Sequence, residues 1–320
     1  MKLIIQIPCF NEAQTLHQAL RELPAAVEGF DAVEYLVIDD GSSDGTADVA
    51  SSLGVHHVVR HPTNLGLARA FQTGIDACLR FHADVIVNTD ADNQYPGRFV
   101  VELVAPVRDR RADIAIADRQ TNTIEHFSPV KRLLQALGSS TVRALSGTDV
   151  KDAPSGFRAY SREAALRLHV LTKFSYTLET IIQAGKLGLK IINIPITTNP
   201  PLRPSRLHRS TRHFVYKQAS TMLGLYAFFE PLKTFTLLSL PFLVIGAGAW
   251  IRFVWLFLSG QSNVGRYVQS LTIGTGLIVV GFLVLLFGLQ ADIASKHRQL
   301  TQVVLFRLRK LEFRLFDRDD

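Results

Sequence analysis

Three short stretches of the chain concentrate groups that can do chemistry together. Asp39-Asp40-Gly41-Ser42-Ser43-Asp44-Gly45-Thr46 sets two adjacent carboxylates before a turn that glycine permits, and such acids accept hydrogen bonds from a base and a ribose. Asp90-Ala91-Asp92 alternates two carboxylates around a small residue, so one can hold a hard divalent cation while the other takes a sugar or a bound water. Mg²⁺ or Mn²⁺ in that place would bridge a diphosphate and stabilise charge on the departing group. Pro8-Cys9-Phe10-Asn11-Glu12 is the third stretch. Taken singly, the first also reads as a helix-capping turn and the second as a solvated acidic turn. Further on, in Asp152-Ala153-Pro154-Ser155-Gly156-Phe157-Arg158, the glycine allows close backbone approach and the arginine offers a planar fork for phosphate.

These stretches form a site only if the chain brings them to one edge. Leu3–Ile7, Tyr35–Ile38, Val55–Val59, Val85–Val87, Ile114–Ala117 and Ile191–Ile194 are apolar runs of buried-strand type. Amphipathic stretches separate them, among them Leu65–Phe81 and Ala13–Leu23, which Asn11 would cap. The alternation predicts an α/β fold with a mostly parallel sheet, whose ligands bind where strands end. The three acidic stretches each follow a predicted strand.

Past Ile196 the composition changes. Asn199-Pro200-Pro201-Leu202-Arg203-Pro204 is a stiff connector, and the segment after it carries Arg206, His208, Arg209, Arg212, His213 and Lys217. Thr234–Leu258 is almost wholly apolar and Leu271–Ala291 has no charged residue, each long enough to cross a hydrocarbon core of roughly 30 Å as a helix. Lys233 precedes the first, Lys296, Arg298, Arg307 and Arg309 follow the second, and only Arg266 lies between, so the positive-inside bias places the N-terminal domain and both termini in the cytosol. Ser295–Arg318 has the pattern of a basic amphipathic helix, lying on the membrane or packing on another subunit. The expected organisation is a catalytic domain over 1–200, a basic juxtamembrane segment over 201–230, a two-helix transmembrane hairpin over 231–294 and an amphipathic C-terminal helix over 295–320.

In order and spacing, Pro8 to Glu12, Asp39 to Thr46, Asn64-Leu65-Gly66, Asp90 to Pro96 and Ser155 to Arg158 resemble glycosyltransferase family 2, with its Rossmann-like GT-A fold, over nearly all of the first two thirds of the chain. The two apolar helices and the basic connector resemble its dolichyl-phosphate-mannose-synthase-like branch, which uses polyprenyl phosphates. The resemblance implies inverting, metal-dependent transfer of a sugar from a UDP- or GDP-linked donor to a polyprenyl or dolichyl phosphate. Carried onto this sequence, Pro8, Asn11 and Glu12 line the nucleotide pocket, and Asp39 and Asp40 hold base and ribose. Asp90, Ala91, Asp92 and Gln94 surround metal and diphosphate, with Asp90, Asp92 and Gln94 as ligands of Mg²⁺ or Mn²⁺. Arg119 faces the acceptor phosphate, although Asp118 stands where relatives carry serine. Arg132, Ser139 and Ser155 would join it, with Arg203, Ser205 and Arg206 of a segment resembling the family's flexible loop, where Pro and Arg replace familiar residues. Asp92, Arg119, Arg158 and Arg203 are the catalytic candidates. A lipid phosphate is ionised near neutral pH and needs no general base. Glu179 would then orient the sugar, act as base toward a hydroxyl acceptor, or serve the helix.

Composition narrows the alternatives. Of 320 residues, 47% are hydrophobic, an excess that comes mainly from the last third, and the formal charge is +7. The cations between Arg203 and Lys217 abut a membrane span, which suits anionic lipid headgroups and argues against a nucleic-acid partner. Neither Trp250 nor Trp255 completes a Gln-x-x-Arg-Trp motif, and two helices do not readily enclose a channel, against a processive polysaccharide synthase. Intact Asp39, Asp90 and Asp92 argue against a non-catalytic nucleotide-sugar sensor. Cys9 and Cys78 lack metal-ligand spacing, and the small residues at Gly246-Ala247-Gly248 together with the amphipathic tail suit a homo-oligomer.

Overall fold

The computed structural model describes residues 1–120, 129–170, 176–200, 220, 223–259 and 264–319, with backbone alone at 129–137, 264–267 and 313–319. Seven strands make one sheet in the order β3-β2-β1-β4-β6-β5-β7. They are β1 (Lys2–Cys9), β2 (Ala32–Asp39), β3 (His57–Arg60), β4 (Val85–Asn88), β5 (Ile114–Asp118), β6 (Arg158–Ser161) and β7 (Ile191–Pro195). β1 and β4 are buried on both faces, as unbroken apolar strands of a helix-covered parallel sheet must be. Every pairing is parallel except those of β6, which runs antiparallel to β4 and to β5. The six apolar runs became strands; β6, Arg-Ala-Tyr-Ser, has no apolar run to announce it.

Helices α1 (Leu16–Glu22), α2 (Thr46–Ser52), α3 (Leu67–Arg80), α4 (Val100–Arg108), α5 (Pro129–Ser146), α6 (Arg162–Arg167) and α7 (Tyr176–Lys186) complete the α/β domain. α3 buries Ala70, Phe71, Ile75, Cys78 and Leu79 and packs on β1 and β2. Asn11 does not cap α1: Thr15 holds the N-cap position without a side-chain bond, and Asn11 adopts a left-handed φ of 55°. Both cysteines are free and buried, and burial pushes their thiols well above the ordinary range, leaving them inert as nucleophiles.

The chain divides into two compact units, residues 1–219 with 302–320, and residues 220–301. In the second, α8 (Pro231–Leu258) packs against the first part of α9 (Val264–Asp319). A Cβ on Gly281 would fall 2.7 Å from Leu243, one on Gly288 2.6 Å from Phe235 and one on Gly246 2.7 Å from Ile278, so glycines set the close approach of the two backbones. Leu237, Val244, Ile251, Trp255, Ile273, Phe282 and Phe287 stay exposed, an apolar exterior on two helices long enough to cross a membrane.

α9 runs through residue 295 without a break. Its C-terminal part belongs with the first unit, where it docks through a buried arginine. Arg309 donates from Nη1 to the carbonyls of Leu166 and Leu168, each at 3.2 Å, and from Nη2 to Asp76 of α3. The tail therefore packs on its own catalytic unit, a partner the sequence reading did not consider.

Candidate active site

The acidic stretches converge at the carboxyl ends of β1, β2 and β4, which lie side by side in register, Cys9 opposite Asp39 and Gln6 opposite Asn88. Hydrogen bonds lock the first two stretches together. The Asn11 N–H donates to Ser42 Oγ at 2.9 Å, the Ser43 N–H to Asn11 Oδ1 at 2.9 Å, and the Glu12 N–H to Thr46 Oγ1 at 3.0 Å. Glu12 accepts the Thr15 hydroxyl at 2.7 Å. Burial disfavours the Asp44 carboxylate, but bonds from Thr46 and from the Ala13 N–H outweigh it and hold Asp44 below the usual range. Pro8 is a buried strand residue opposite Ile38.

Asp39 and Asp40 separate in role. Asp40 Oδ1 accepts the Leu65 N–H at 2.9 Å and lies 2.7 Å from His61 Nδ1, while Oδ2 accepts the Gly66 N–H at 2.8 Å. Both oxygens thus take part in shaping the turn into α3. Asp39 Oδ1 accepts the Ser42 N–H at 2.9 Å, while its buried Oδ2 has no hydrogen-bond partner among the described residues and lies 3.4 Å from Arg60 Nε.

Around the third stretch, Ala91 packs into the core while Asp90 and Asp92 flank it. Burial first, then the charge of Asp92, pushes the Asp90 carboxyl up to about 7, with Arg119 opposing. Gly156 fits beside it because it has no side chain: a Cβ there would meet the Tyr176 hydroxyl at 2.8 Å and both Asp90 oxygens at 3.3 Å. Asn88 Nδ2 donates to the Gly156 carbonyl at 2.8 Å, and the Gly156 N–H donates to the Tyr95 hydroxyl at 3.3 Å. The loop beyond is clamped. Asn93, left-handed at φ 57°, donates to Glu22 Oε1 at 2.7 Å, and Asn199 donates to Glu22 Oε2 at 3.2 Å and from its N–H to the Gln94 carbonyl at 3.0 Å. The Gln94 N–H in turn donates to Asp92 Oδ1 at 3.2 Å.

The arginines divide likewise. Arg119 grips Asp152 with Nε to Oδ2 at 2.7 Å and Nη2 to Oδ1 at 2.9 Å, so one bidentate edge of its fork is already taken. Burial works against its charge, but Tyr95, Asp152 and Asp90 raise its pKa further. Arg158 is fully buried and donates to the carbonyls of Ser155 (2.7 Å), Ala153 (2.7 Å) and Thr177 (2.8 Å) and to Thr180 Oγ1 (2.9 Å). The fork thereby braces the turn ahead of β6 from within. Ser139 is buried and accepts the Ala153 N–H at 3.4 Å, and Ser155 Oγ is buried without a partner. Glu179 is fully buried on α7 and accepts from Gln183 at 3.1 Å. The side chain of Arg132 and all of Arg203, Ser205 and Arg206 lie outside the described residues. Sequence reasoning missed Asn88, Tyr95, Asp152 and the Glu22–Asn93–Asn199 clamp; an asparagine ending an apolar strand was the available signal for the first.

The sequence profile described as Glycosyl transferase family 2 matches residues 4–168, the span that builds this site. The chain belongs to glycosyl transferase family 2. Among relatives, a protein of uncharacterised activity from Methanocaldococcus jannaschii is 34% identical over 202 residues, covering 62% of this chain and 81% of that one. The undecaprenyl-phosphate mannosyltransferase of Micrococcus luteus is 28% identical, covering 62% and 83%, and the polyprenol monophosphomannose synthase of Mycolicibacterium smegmatis 29%, covering 68% and 85%. In fold, glucosyl-3-phosphoglycerate synthase from Mycobacterium tuberculosis, solved with Mn²⁺, UDP and glucosyl-3-phosphoglycerate, superposes with a TM-score of 0.54 over 71% of this chain and 79% of its own at 22% identity. The family 2 domain is thus a GT-A domain carrying two apolar helices, and the enzyme is a glycosyltransferase.

Proposed function

We propose that this family 2 enzyme transfers a hexose, with inversion, from a nucleotide-sugar to a polyprenyl phosphate at the cytosolic face of a membrane. The observation that carries the reading is the conjunction, in one chain, of the paired carboxylates Asp90 and Asp92 at the end of β4 with two exposed apolar helices. The named activities of the Micrococcus and Mycolicibacterium relatives support the acceptor class. Cations flanking the apolar helices support the orientation.

The donor set suits Mg²⁺ or Mn²⁺. Among the described residues no group of three or more His, Cys, Asp or Glu could hold a metal ion unaided. A cation shared between one or two carboxylates and substrate phosphate oxygens is the arrangement these ions favour, and the proton affinity of Asp90, raised by crowding and burial, marks a place that prefers added positive charge. Asp90, Asp92 and Gln94 would hold it. When bound, it would neutralise charge on the leaving nucleoside diphosphate.

Asp39 would receive the base and Arg119 would bias the acceptor phosphate with its remaining edge. A phosphate oxygen attacks the anomeric carbon; the bond from that carbon to the donor diphosphate breaks, and its electron pair leaves with the nucleoside diphosphate. Positioning and fixed charge then carry the acceleration. The test is transfer from labelled UDP- and GDP-sugars to short polyprenyl phosphate in detergent, with Mg²⁺, Mn²⁺ or EDTA. A metal-dependent, acid-labile lipid product is expected, and it should be absent with folded Asp92→Ala. No lipid product from any donor would overturn the acceptor assignment.

A further inference from the structure

Two opposed lines run along α9. Gly274, Gly281, Gly288, Ser295 and Arg309 are buried, and half-buried Gln302 completes a series in which every member stands seven residues after the one before. A buried line with that period belongs to a helix that supercoils about its neighbours. The other line is open. In the tail, Arg309 turns toward the catalytic unit through Leu166, Leu168 and Asp76. Leu300, Val304, Leu308 and Leu311 fall on the far side of the helix at spacings of four, four and three, each of them more than half exposed. The tail is therefore apolar on a face that its own catalytic unit leaves uncovered.

Hydrocarbon does not cover that face either. Asp292 pairs with Lys296 at 3.0 Å where the charge-free stretch ends, and the helix continues without a break. At about 1.5 Å per residue, Leu300 and Leu311 stand about 14 and 30 Å past Ala291 along it. What the face suits is a second copy of the same helix. Val304, Leu308 and Leu311 occupy successive d, a and d positions of a heptad, which puts exposed Arg307 at g and exposed Glu312 at e. In a parallel pair of helices, a g residue faces the e residue of the following heptad on the other strand, so Arg307 meets the partner's Glu312, and symmetry makes the contact twice. The parallel direction has an independent cause. Two chains inserted the same way into one membrane present α9 in the same direction, and their confinement there raises the effective concentration, so a short contact can hold them.

We propose that the outer face of the tail, Val304, Leu308 and Leu311 flanked by Arg307 and Glu312, docks a second copy of this chain as a parallel two-helix seam. The test is oxidative cross-linking of the full-length protein in its native membranes, where the buried Cys9 and Cys78 do not compete. Facing a positions bring Cβ atoms within disulfide reach, so Leu308→Cys should give at least about 10-fold more linked dimer than Gln299→Cys, an exposed site off the seam. With Leu308→Cys in place, Arg307→Glu should cut the linkage several-fold by setting acid against acid, and adding Glu312→Arg should restore it. All of these side chains are exposed, and equal melting temperatures will show that the fold is kept. Equal linkage at Leu308 and Gln299 would mean random collision and overturns the proposal. So does an absence of linkage at Leu308, the result of a tail lying on lipid headgroups or bound to another protein, and so does a charge reversal that leaves linkage unaltered. Each of these failures leaves glycosyl transfer standing.

Discussion

Replacing Arg158 separates a brace from a catalyst. The guanidinium is fully buried and donates to three backbone carbonyls and to the Thr180 hydroxyl. Thr180 also donates its own proton to the Tyr176 carbonyl at 2.7 Å, so its oxygen loses least when the arginine goes. Arg158→Met would leave the carbonyls of Ser155 and Ala153 without this donor in the interior, whereas the Thr177 carbonyl keeps the Thr180 hydroxyl at 3.3 Å. At about 1–3 kcal/mol for each buried group left unsatisfied, the low end of the loss is about 2 kcal/mol. For a domain of this size that lowers the melting temperature by at least roughly 4 °C. Arg158→Lys keeps the charge but brings one ammonium to acceptors spread over two segments, and should lose part of that. The assay is thermal unfolding in detergent beside transfer measured well below each variant's midpoint. The expected pattern is a lowered midpoint in both variants, larger for methionine, with measurable transfer in the folded fraction of the lysine form. A wild-type midpoint with abolished transfer would refute the brace and return the fork to the substrate.

Asp90 sets a pH dependence. Its folded pKa, near 7, lies above the ordinary 3.8, so the protonated carboxyl stabilises the metal-free fold fully below about pH 4, and that contribution is lost as pH rises through about 7. A cation must displace the same proton, so Mn²⁺ affinity in the presence of nucleotide, followed by electron paramagnetic resonance, should rise with pH to about 7 and then level, with the slope gone in Asp90→Asn. Glu22→Ala removes the acceptor shared by Asn93 and Asn199 and should cut transfer about 10-fold through a displaced Asp92 loop, with weaker Mn²⁺ binding in the same titration; unaltered binding and transfer would count against the clamp. Arg309→Ala should strip amide-exchange protection from the tail after residue 302, whereas protection equal to wild type would show that its apolar contacts suffice.

Much of this arrangement was legible because its signals are local. Apolar runs bounded by turn residues located six strands, and parallel topology puts the ends of three of them side by side wherever the sheet is open. The acidic motifs follow those ends, so their convergence came from the order of elements alone. The roles of individual polar groups were not legible, because each depends on partners far away in sequence. Asp39 and Asp40 are neighbours at the end of one strand, where successive side chains diverge, so one faces Arg60 while the other accepts from Leu65 and Gly66. Arg158 looked like a phosphate fork because the short antiparallel β6 that buries it has no hydrophobic signature. The tail after residue 295 is the continuation of α9, and periodicity gives the existence of a face and not what covers it.

The same contrast offers a way to find working residues in this fold. Polar side chains whose groups are largely taken up by the backbone, such as Asp40 and Arg158, hold loops in place, and their replacement should be felt first in stability. Polar side chains that the interior crowds or leaves unmatched are the ones poised for something absent. Among the described residues, Asp39 Oδ2 and Ser155 Oγ are buried without a hydrogen-bond partner, Arg60 Nε standing 3.4 Å from the first, and Asp90 is kept near its proton by burial and by Asp92. All three lie along the line from the end of β2 to the turn ahead of β6, and Gly156 lies beside the Asp90 carboxylate where any side chain would displace it.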